Sequence, residues 1–148
     1  MAVTSANFAG LVAAIFNKEI DLLDDTIKVA LTTSTFVPAL DTHDYFNDVT
    51  NEVVGTGYTA AGASVTTDTL TYTAATNTWM YDGDDTQWTS STITARIAVI
   101  YDSTPATDAT RPLISYQDFG ADQTSSAGTF KIQWAAAGIF TVVIGAAA

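Results

Sequence analysis

Apolar residues near the start of the chain recur at helical spacing. Five of them lie three or four positions apart, on one stripe of a helix: Phe8, Leu11, Val12, Ile15 and Phe16. Ser5 stands just before this stripe, where an N-cap hydroxyl is expected. The pattern predicts a short helix over residues 6–17, within an N-terminal arm of residues 1–26.

The hydrophobic period changes to two at Ile27. Alternate residues of 27–32 then share one face, as in a half-buried strand. Asp41, followed three positions later by Asp44, predicts one or two capped helical turns in the loop that comes next. Three glycines within residues 55–62 predict another loop.

From residue 64 onward, Thr, Val, Ile and aromatic residues dominate, which favours β-structure. The predicted strands are 64–73, 78–82, 92–102, 112–118, 128–135 and 138–145. The predicted turns are 75–77, 82–85, 103–110, 120–126 and 137–138. We expect a mostly β single domain of residues 1–148, in which 27–148 form an antiparallel, jelly-roll-like β-sandwich behind a short N-terminal helix.

Two of these strands are apolar on more than one face. In residues 93–101, alternation places Ile93, Ile97 and Tyr101 on one face, and the opposite face is half apolar. In residues 139–144 both faces are apolar, so we expect this strand to be covered on both sides.

The charge of the chain excludes several kinds of partner. Sixteen acidic residues against five Lys and Arg give a formal net charge of -11, and there is no Cys. Because nucleic acids and anionic membranes are bound through cationic contacts, we expect neither as a partner. Residues 1–16 do not read as a signal peptide, and no segment has the roughly 20 apolar residues of a membrane span.

His43 is the only histidine, so a histidine-based catalytic site must use it. With Asp41 and Asp44 beside it, it is a candidate acid-base pair or weak metal ligand, and a small hydrolase remains one alternative. An exposed polar residue in the first turn of a short helix is the favoured interpretation. No serine lies in a Gly-x-Ser-x-Gly sequence, so a catalytic triad is not supported.

Three other motifs have structural interpretations that outweigh the chemical ones. Residues 118–120 (Asp-Phe-Gly) match a kinase tripeptide but are interpreted as a strand end with Phe packed and Gly turning the chain. Residues 55–57 (Gly-Thr-Gly) resemble half of a dinucleotide motif but are interpreted as loop. The carboxylates of Asp82, Asp84 and Asp85 suit calcium, which stays open, although a solvated hairpin loop is favoured. We assign no catalytic residue, cofactor or metal ligand.

Exposed aromatics on a β-sandwich are also typical of glycan binding. The candidates are Tyr58, Tyr72, Trp79, Tyr81, Trp88 and Tyr116. We favour core or interface anchoring for Trp79 and Trp88, because large aromatics supply much of the burial in a chain of this size.

Several segments resemble small virion proteins encoded among the head and structural genes of tailed bacteriophages. They are 27–34 (IKVALTTS), 41–44 (DTHD), 51–53 (NEV), 55–58 (GTGY), 92–96 (TITAR), 98–101 (AVIY), 118–123 (DFGADQ) and 128–130 (GTF). The resemblance covers most of residues 20–144 and includes no catalytic residues.

This resemblance implies a non-enzymatic capsid decoration (cement) protein, a β-sandwich that binds the outer shell as a symmetric cluster, a homotrimer. Its implied partner is the major capsid protein, and its implied location is the outer capsid surface after synthesis in the host cytoplasm. The alternative is a tail or fibre adhesion module that binds a host glycan. We expect the apolar N-terminal helix or the apolar C-terminal segment to make some of the contacts with the shell.

Overall fold

Two antiparallel sheets make up most of the regular structure in the computed structural model, which describes residues 2–146. In chain order the elements are β1 (Thr4–Asn7), α1 (Gly10–Phe16), β2 (Ile27–Thr32), β3 (Ala63–Ser64), β4 (Thr69–Thr73), β5 (Thr78–Asp82), β6 (Thr86–Asp102), β7 (Leu113–Ile132) and β8 (Phe140–Val143). The strand orders are β1-β7-β6-β2-β3 and β4-β5-β8. The expected fold class, mostly β with two antiparallel sheets and a short N-terminal helix, is confirmed.

The pair β6 and β7 forms the spine of the larger sheet, and here the predicted boundaries are wrong. β6 begins at Thr86 rather than at residue 92, and the strands predicted at 112–118 and 128–135 are one strand of 20 residues. Residues 120–126 were predicted to be a turn because they are small and polar. They are instead paired with β6, for example Thr124 with Thr94, and the backbone ladder holds them whatever their side chains prefer.

An irregularity in this ladder changes which face each β6 residue presents. The register passes from Ala95–Gln123 to Ile97–Asp118, which is five steps along β7 against two along β6. As a result Ile93 belongs to the core between the two sheets, whereas Ile97 belongs to a second cluster on the opposite face of the larger sheet. The prediction that they share a face is therefore wrong, because simple alternation assumes an unbroken ladder.

The N-terminal arm contributes a strand as well as a helix. Ser5 pairs with Gln117 of β7, so it does not cap a helix as predicted. The helix is shorter than predicted and begins after Ala9, whose side chain makes no capping hydrogen bond. The Asn7 side chain donates from Nδ2 to Thr141 O at 2.7 Å, which ties the edge strand β1 to β8 of the other sheet.

Other predicted elements agree more closely with the structure. The strands predicted at 27–32 and 78–82 are β2 and β5, with the same limits. The strand predicted at 64–73 is divided into β3 and β4, with Thr67 at φ 54° between them. One helical turn does follow Asp44, at Phe46–Asp48, but Asp48 caps it by accepting from Asp44 N at 2.9 Å and Tyr45 N at 3.2 Å.

A candidate binding groove between the helix and the smaller sheet

The three-stranded sheet has one apolar face and one threonine-rich face. Cross-strand partners place Leu70, Tyr81 and Phe140 in one row, and Tyr72, Trp79 and Val142 in the next row on the same face. The alternate residues form the outer face: Thr69, Thr71, Thr73, Thr78, Met80, Asp82, Thr141 and Val143. An antiparallel sheet of this kind normally packs its whole apolar face against a core.

Here only one end of the apolar face is packed. Tyr81 and Phe140 are buried at 1% and 7% exposure, in the core between the sheets. Tyr72 and Trp79, one row further along, are each 40% exposed, and Ile144 beyond β8 is 61% exposed. The smaller sheet thus extends past the core and leaves apolar side chains uncovered. The expectation that residues 139–144 are covered on both sides is not met at Ile144.

Helix α1 forms the opposite wall. It buries Leu11 and Ala14 against the core, which turns Val12, Ile15 and Phe16 toward the smaller sheet. Phe16, the last helical residue, is 80% exposed. We call the resulting space the apolar groove: it has a volume of about 480 Å³ and is lined by these three helix residues, by Leu22, by the apolar face of the smaller sheet and by the end of β8.

Polar groups at the groove are few, and the two tyrosine hydroxyls near it are already engaged. The Tyr81 hydroxyl donates to Asp68 Oδ2 at 3.0 Å, and burial together with this carboxylate raises the pKa of Tyr81 above its ordinary value. The Tyr72 hydroxyl donates to Asn77 Oδ1 at 2.9 Å, and the Tyr72 and Trp79 ring centroids are 5.2 Å apart. No Asp, Glu, Lys, Arg or His is among the lining residues. The groove is therefore suited to apolar contact.

Charged residues are distributed unevenly along the groove. At its packed end Asp68 bonds to Tyr81, while Asp82 ends β5 on the outer face of the sheet. Asp21 and Asp24 flank the segment that brings Leu22 against the core. The open end of the smaller sheet, residues 71–80 and 141–146, contains no Asp, Glu, Lys, Arg or His. Along this sheet, negative charge therefore lies at the packed end only.

The sequence-predicted histidine site has a structural role in the fold. His43 Nδ1 accepts a hydrogen bond from Ala39 N at 3.3 Å, and its ring stacks on Phe36 with centroids 5.6 Å apart. It lies in the loop before the turn at Phe46–Asp48, rather than inside a helix. This arrangement fixes the loop that covers the second core cluster, which includes Phe36.

The acidic motifs are each neutralised or hydrogen-bonded separately. Asp84 accepts from the hydroxyls of Thr66 and Thr67, and Asp85 pairs with Lys131 Nζ at 2.7 Å. Across residues 2–146, no group of three or more His, Asp and Glu side chains is arranged to hold a metal ion.

The Asp-Phe-Gly motif lies inside β7 rather than at a strand end. Asp118 pairs with Arg96, and this guanidinium lowers the pKa of the Asp118 carboxyl. Phe119 packs against the core cluster, as predicted. Gly120 does not turn the chain as predicted: it has φ +78°, but β7 continues through it. The Gly-Thr-Gly segment is a loop, as predicted.

The aromatic candidates divide into two groups. Tyr81 and Trp88 are core anchors, with exposures of 1% and 5%. Tyr58 and Tyr116 pack against the two core clusters. Trp79 instead lines the apolar groove, with Tyr72 beside it, so anchoring in the chain's own core does not account for Trp79. Sequence reasoning had noticed the apolar helix and the apolar C-terminal segment separately. It could not find the groove, because the walls come from three segments, residues 12–22, 70–81 and 140–144, that are 48 or more residues apart in the chain.

Comparison with known proteins gives no match: no family model fits the chain, and neither a curated protein nor a solved structure matches it significantly. None of the helices within residues 2–146 has the length and apolar character needed to cross a membrane.

Proposed function

We propose that the protein is a non-enzymatic virion protein of a tailed bacteriophage, a capsid decoration protein that binds the outer shell through the apolar groove. The observation that carries this proposal is the uncovered apolar face of the smaller sheet beside the exposed Phe16. Monomeric proteins rarely expose such a contiguous apolar surface unless it binds something. The sequence resemblance to phage head proteins supplies the kind of partner.

The size of the groove fits a contact that is weak singly and strong in many copies. Phe16 and Trp79, which both line the groove, together expose about 240 Å² if an aromatic side chain presents roughly 200 Å². Covering that area contributes about 6 kcal/mol, which is comparable with the cost of association. Many copies on a symmetric shell multiply such a contact by avidity, and binding only to assembled shells favours assembly through mass action.

The charge of the chain supports a place on the outside of the capsid. A protein with a net charge of -11 is repelled by packaged DNA, whose phosphates are also negative. The proposed partner is therefore the outer face of the major capsid protein. The homotrimeric state that we propose for the protein itself comes from its resemblance to phage virion proteins. Synthesis in the host cytoplasm precedes this assembly.

The test is co-sedimentation of purified protein with decoration-free shells. We expect saturable binding by the wild type and at least about tenfold weaker binding by the double variant Phe16→Ser, Ile144→Ser, since tenfold corresponds to only 1.4 kcal/mol. Both residues are exposed, so the variant should fold. The matched control is Val37→Ser, Val54→Ser, two apolar residues that are 74% and 97% exposed outside the groove. Equal binding by both variants, or none by the wild type, would contradict the proposal.

A second function is favoured by one observation, the tilted pair of Tyr72 and Trp79. Two half-exposed aromatic rings 5.2 Å apart can stack on a sugar ring, as in an adhesion module of a tail or fibre. That function requires that a glycan quenches Trp79 fluorescence and that the protein does not co-sediment with shells. The capsid function requires co-sedimentation with shells and no quenching by a glycan.

A further inference from the structure

We infer that the apolar groove binds an apolar segment of another protein that carries Lys or Arg at one end, rather than a second copy of this chain. The inference rests on the proposed docking role of the groove and adds the chemistry of the occupant. Three observations support it: the apolar lining, the carboxylates near the packed end, and the internal ion pairs of most of the protein's own Lys and Arg residues.

The lining of the groove determines the chemical character of the middle of the occupant. Side chains from α1 and from the rows of Leu70 and Trp79 present carbon and ring surface, apart from the Trp79 indole N–H and hydroxyl groups that already have acceptors. Away from that N–H, a polar or charged side chain placed here would lose its water without gaining a partner. The occupant therefore has apolar side chains along most of its length.

The distribution of charge around the groove determines which end of the occupant carries the basic residues. Asp68 bonds to Tyr81 at the packed end, and Asp21 and Asp24 flank the lining residue Leu22, whereas residues 71–80 and 141–146 of the smaller sheet contain no charged residue. A Lys or Arg beyond the packed end would approach Asp68, whereas the same residue at the open end of the sheet would approach no carboxylate. The basic residues of the occupant therefore lie at the end nearest Leu22 and Tyr81.

The protein's own cations make a second copy a poor occupant. Three of the five Lys and Arg residues are paired internally, in Arg96–Asp118, Arg111–Asp108 and Lys131–Asp85. In the described part of the chain only Lys18 and Lys28 have no ion pair. A second copy would bring another net charge of -11 and few cations to meet the acidic end. Charge complementarity favours a basic partner.

The experiment is a selection from random peptides of about 16 residues, long enough for a helix of ~24 Å. A ribosome-displayed library is selected on the immobilised full-length chain after counter-selection on the Phe16→Ser, Ile144→Ser variant. Enriched peptides are synthesised with a fluorescent label and measured by anisotropy. We expect apolar sequences with Lys or Arg concentrated at one end, and binding that weakens as salt is raised.

A charge variant tests the polarity. Asp21→Asn, Asp24→Asn should weaken binding of the selected peptide about fivefold at low salt, with little effect at about 0.5 M salt. The matched control, Asp41→Asn, removes an exposed carboxylate elsewhere and should leave affinity unchanged. A peptide with its basic residues moved to the other end should bind more weakly than the selected one.

Three results would overturn the inference. They are the absence of groove-dependent enrichment, enrichment of peptides without basic residues, and a wild-type oligomer that dissociates in the Phe16→Ser, Ile144→Ser variant. The last result would make a second copy the occupant. If the variant also loses shell binding, the proposed function is retained. Any of the three results would then contradict only the inference that the occupant is an apolar segment with basic residues at one end.

Discussion

Asp102, the last residue of β6, has a carboxyl group with no exposed surface. Oδ1 accepts from Thr104 N at 2.8 Å, but Oδ2 has no hydrogen-bond partner within residues 2–146. Burial raises the pKa of Asp102, and the negative charge of Asp25 adds to this effect. The fold thus contains a carboxylate whose ionisation it disfavours.

The raised pKa determines how Asp102 affects stability. Because the folded-state pKa exceeds the unfolded one, the stability that the protonated group contributes is present at low pH. It is lost as the pH rises through the folded-state value. We expect Asp102→Asn to raise the free energy of unfolding by about 1 kcal/mol near pH 7 and to give no gain near pH 3, below the ordinary Asp value of ~3.9.

Urea denaturation at the two pH values measures this difference. Asn can keep the acceptor for Thr104 N and places an amide donor near Asp25, so the geometry is preserved. The control is Asp41→Asn, at an exposed carboxylate. A loss of stability by Asp102→Asn at pH 7 would mean that Asp102 is needed in its ionised form, and the same change at both pH values would mean that folding does not raise its pKa.

At the scale of elements, the loop of residues 55–62 is held tightly to β2. Leu31 N donates to the Tyr58 hydroxyl oxygen at 2.9 Å, and that hydroxyl donates to Glu52 Oε1 at 2.6 Å. The same carboxylate oxygen accepts from Ala61 N at 2.6 Å. Gly62 completes the contact with φ +75°, and a Cβ added there would lie 1.9 Å from Val29 O. The loop is a fixed part of the larger sheet.

Gly62→Ala should therefore be strongly destabilising. Both the positive φ and the collision with a backbone carbonyl oppose a side chain, and we expect a loss of about 2–4 kcal/mol in the free energy of unfolding. Gly128→Ala is the matched control, because its nearest neighbouring atom is Ser126 O at 3.7 Å. That variant should stay within about 0.5 kcal/mol of the wild type. Chemical denaturation of the three proteins provides the measurement, and similar losses for both variants would contradict the assigned role of Gly62.

The elements that sequence predicts well are those whose side chains encode their environment. β2 and β5 have the predicted limits because the alternation of their side chains and their intrinsic strand propensity both favour β-structure. β1, with the sequence Thr-Ser-Ala-Asn, has no apolar alternation and is held by backbone pairing with β7. The turn predicted at residues 120–126 is wrong for the same reason, since these residues are also held by pairing with a distant strand. Pairing between distant strands is not visible in a local pattern.

The groove shows the same limit at a larger distance. Phe16, Trp79 and Ile144 can each be recognised in the sequence as apolar, and contacts by the N-terminal helix or C-terminal segment were expected from that character. Their convergence depends on how far β8 and β5 extend beyond the core, which only the register of the smaller sheet determines. The core against which the smaller sheet packs ends before the sheet itself does.

At the scale of the whole molecule, one property governs both kinds of association that we propose. The net charge of -11 opposes contact between copies and favours contact with a basic segment. Added salt screens both effects, since the Debye length falls from about 10 Å at 0.1 M to 3 Å at 1 M. The two associations should therefore respond to salt in opposite directions.

We expect the purified chain to form a trimer of about 47 kDa, three times the chain mass of 15.6 kDa, and the trimeric fraction to increase with salt. Size-exclusion chromatography with light scattering, from about 0.02 to 0.5 M salt, measures this fraction. The Phe16→Ser, Ile144→Ser variant should remain trimeric, because the groove is kept for the basic segment. A chain that is monomeric at every salt concentration would contradict the trimer. A trimer that dissociates as salt rises would show that attraction between unlike charges holds the copies together, contrary to the role assigned to the acidic surface.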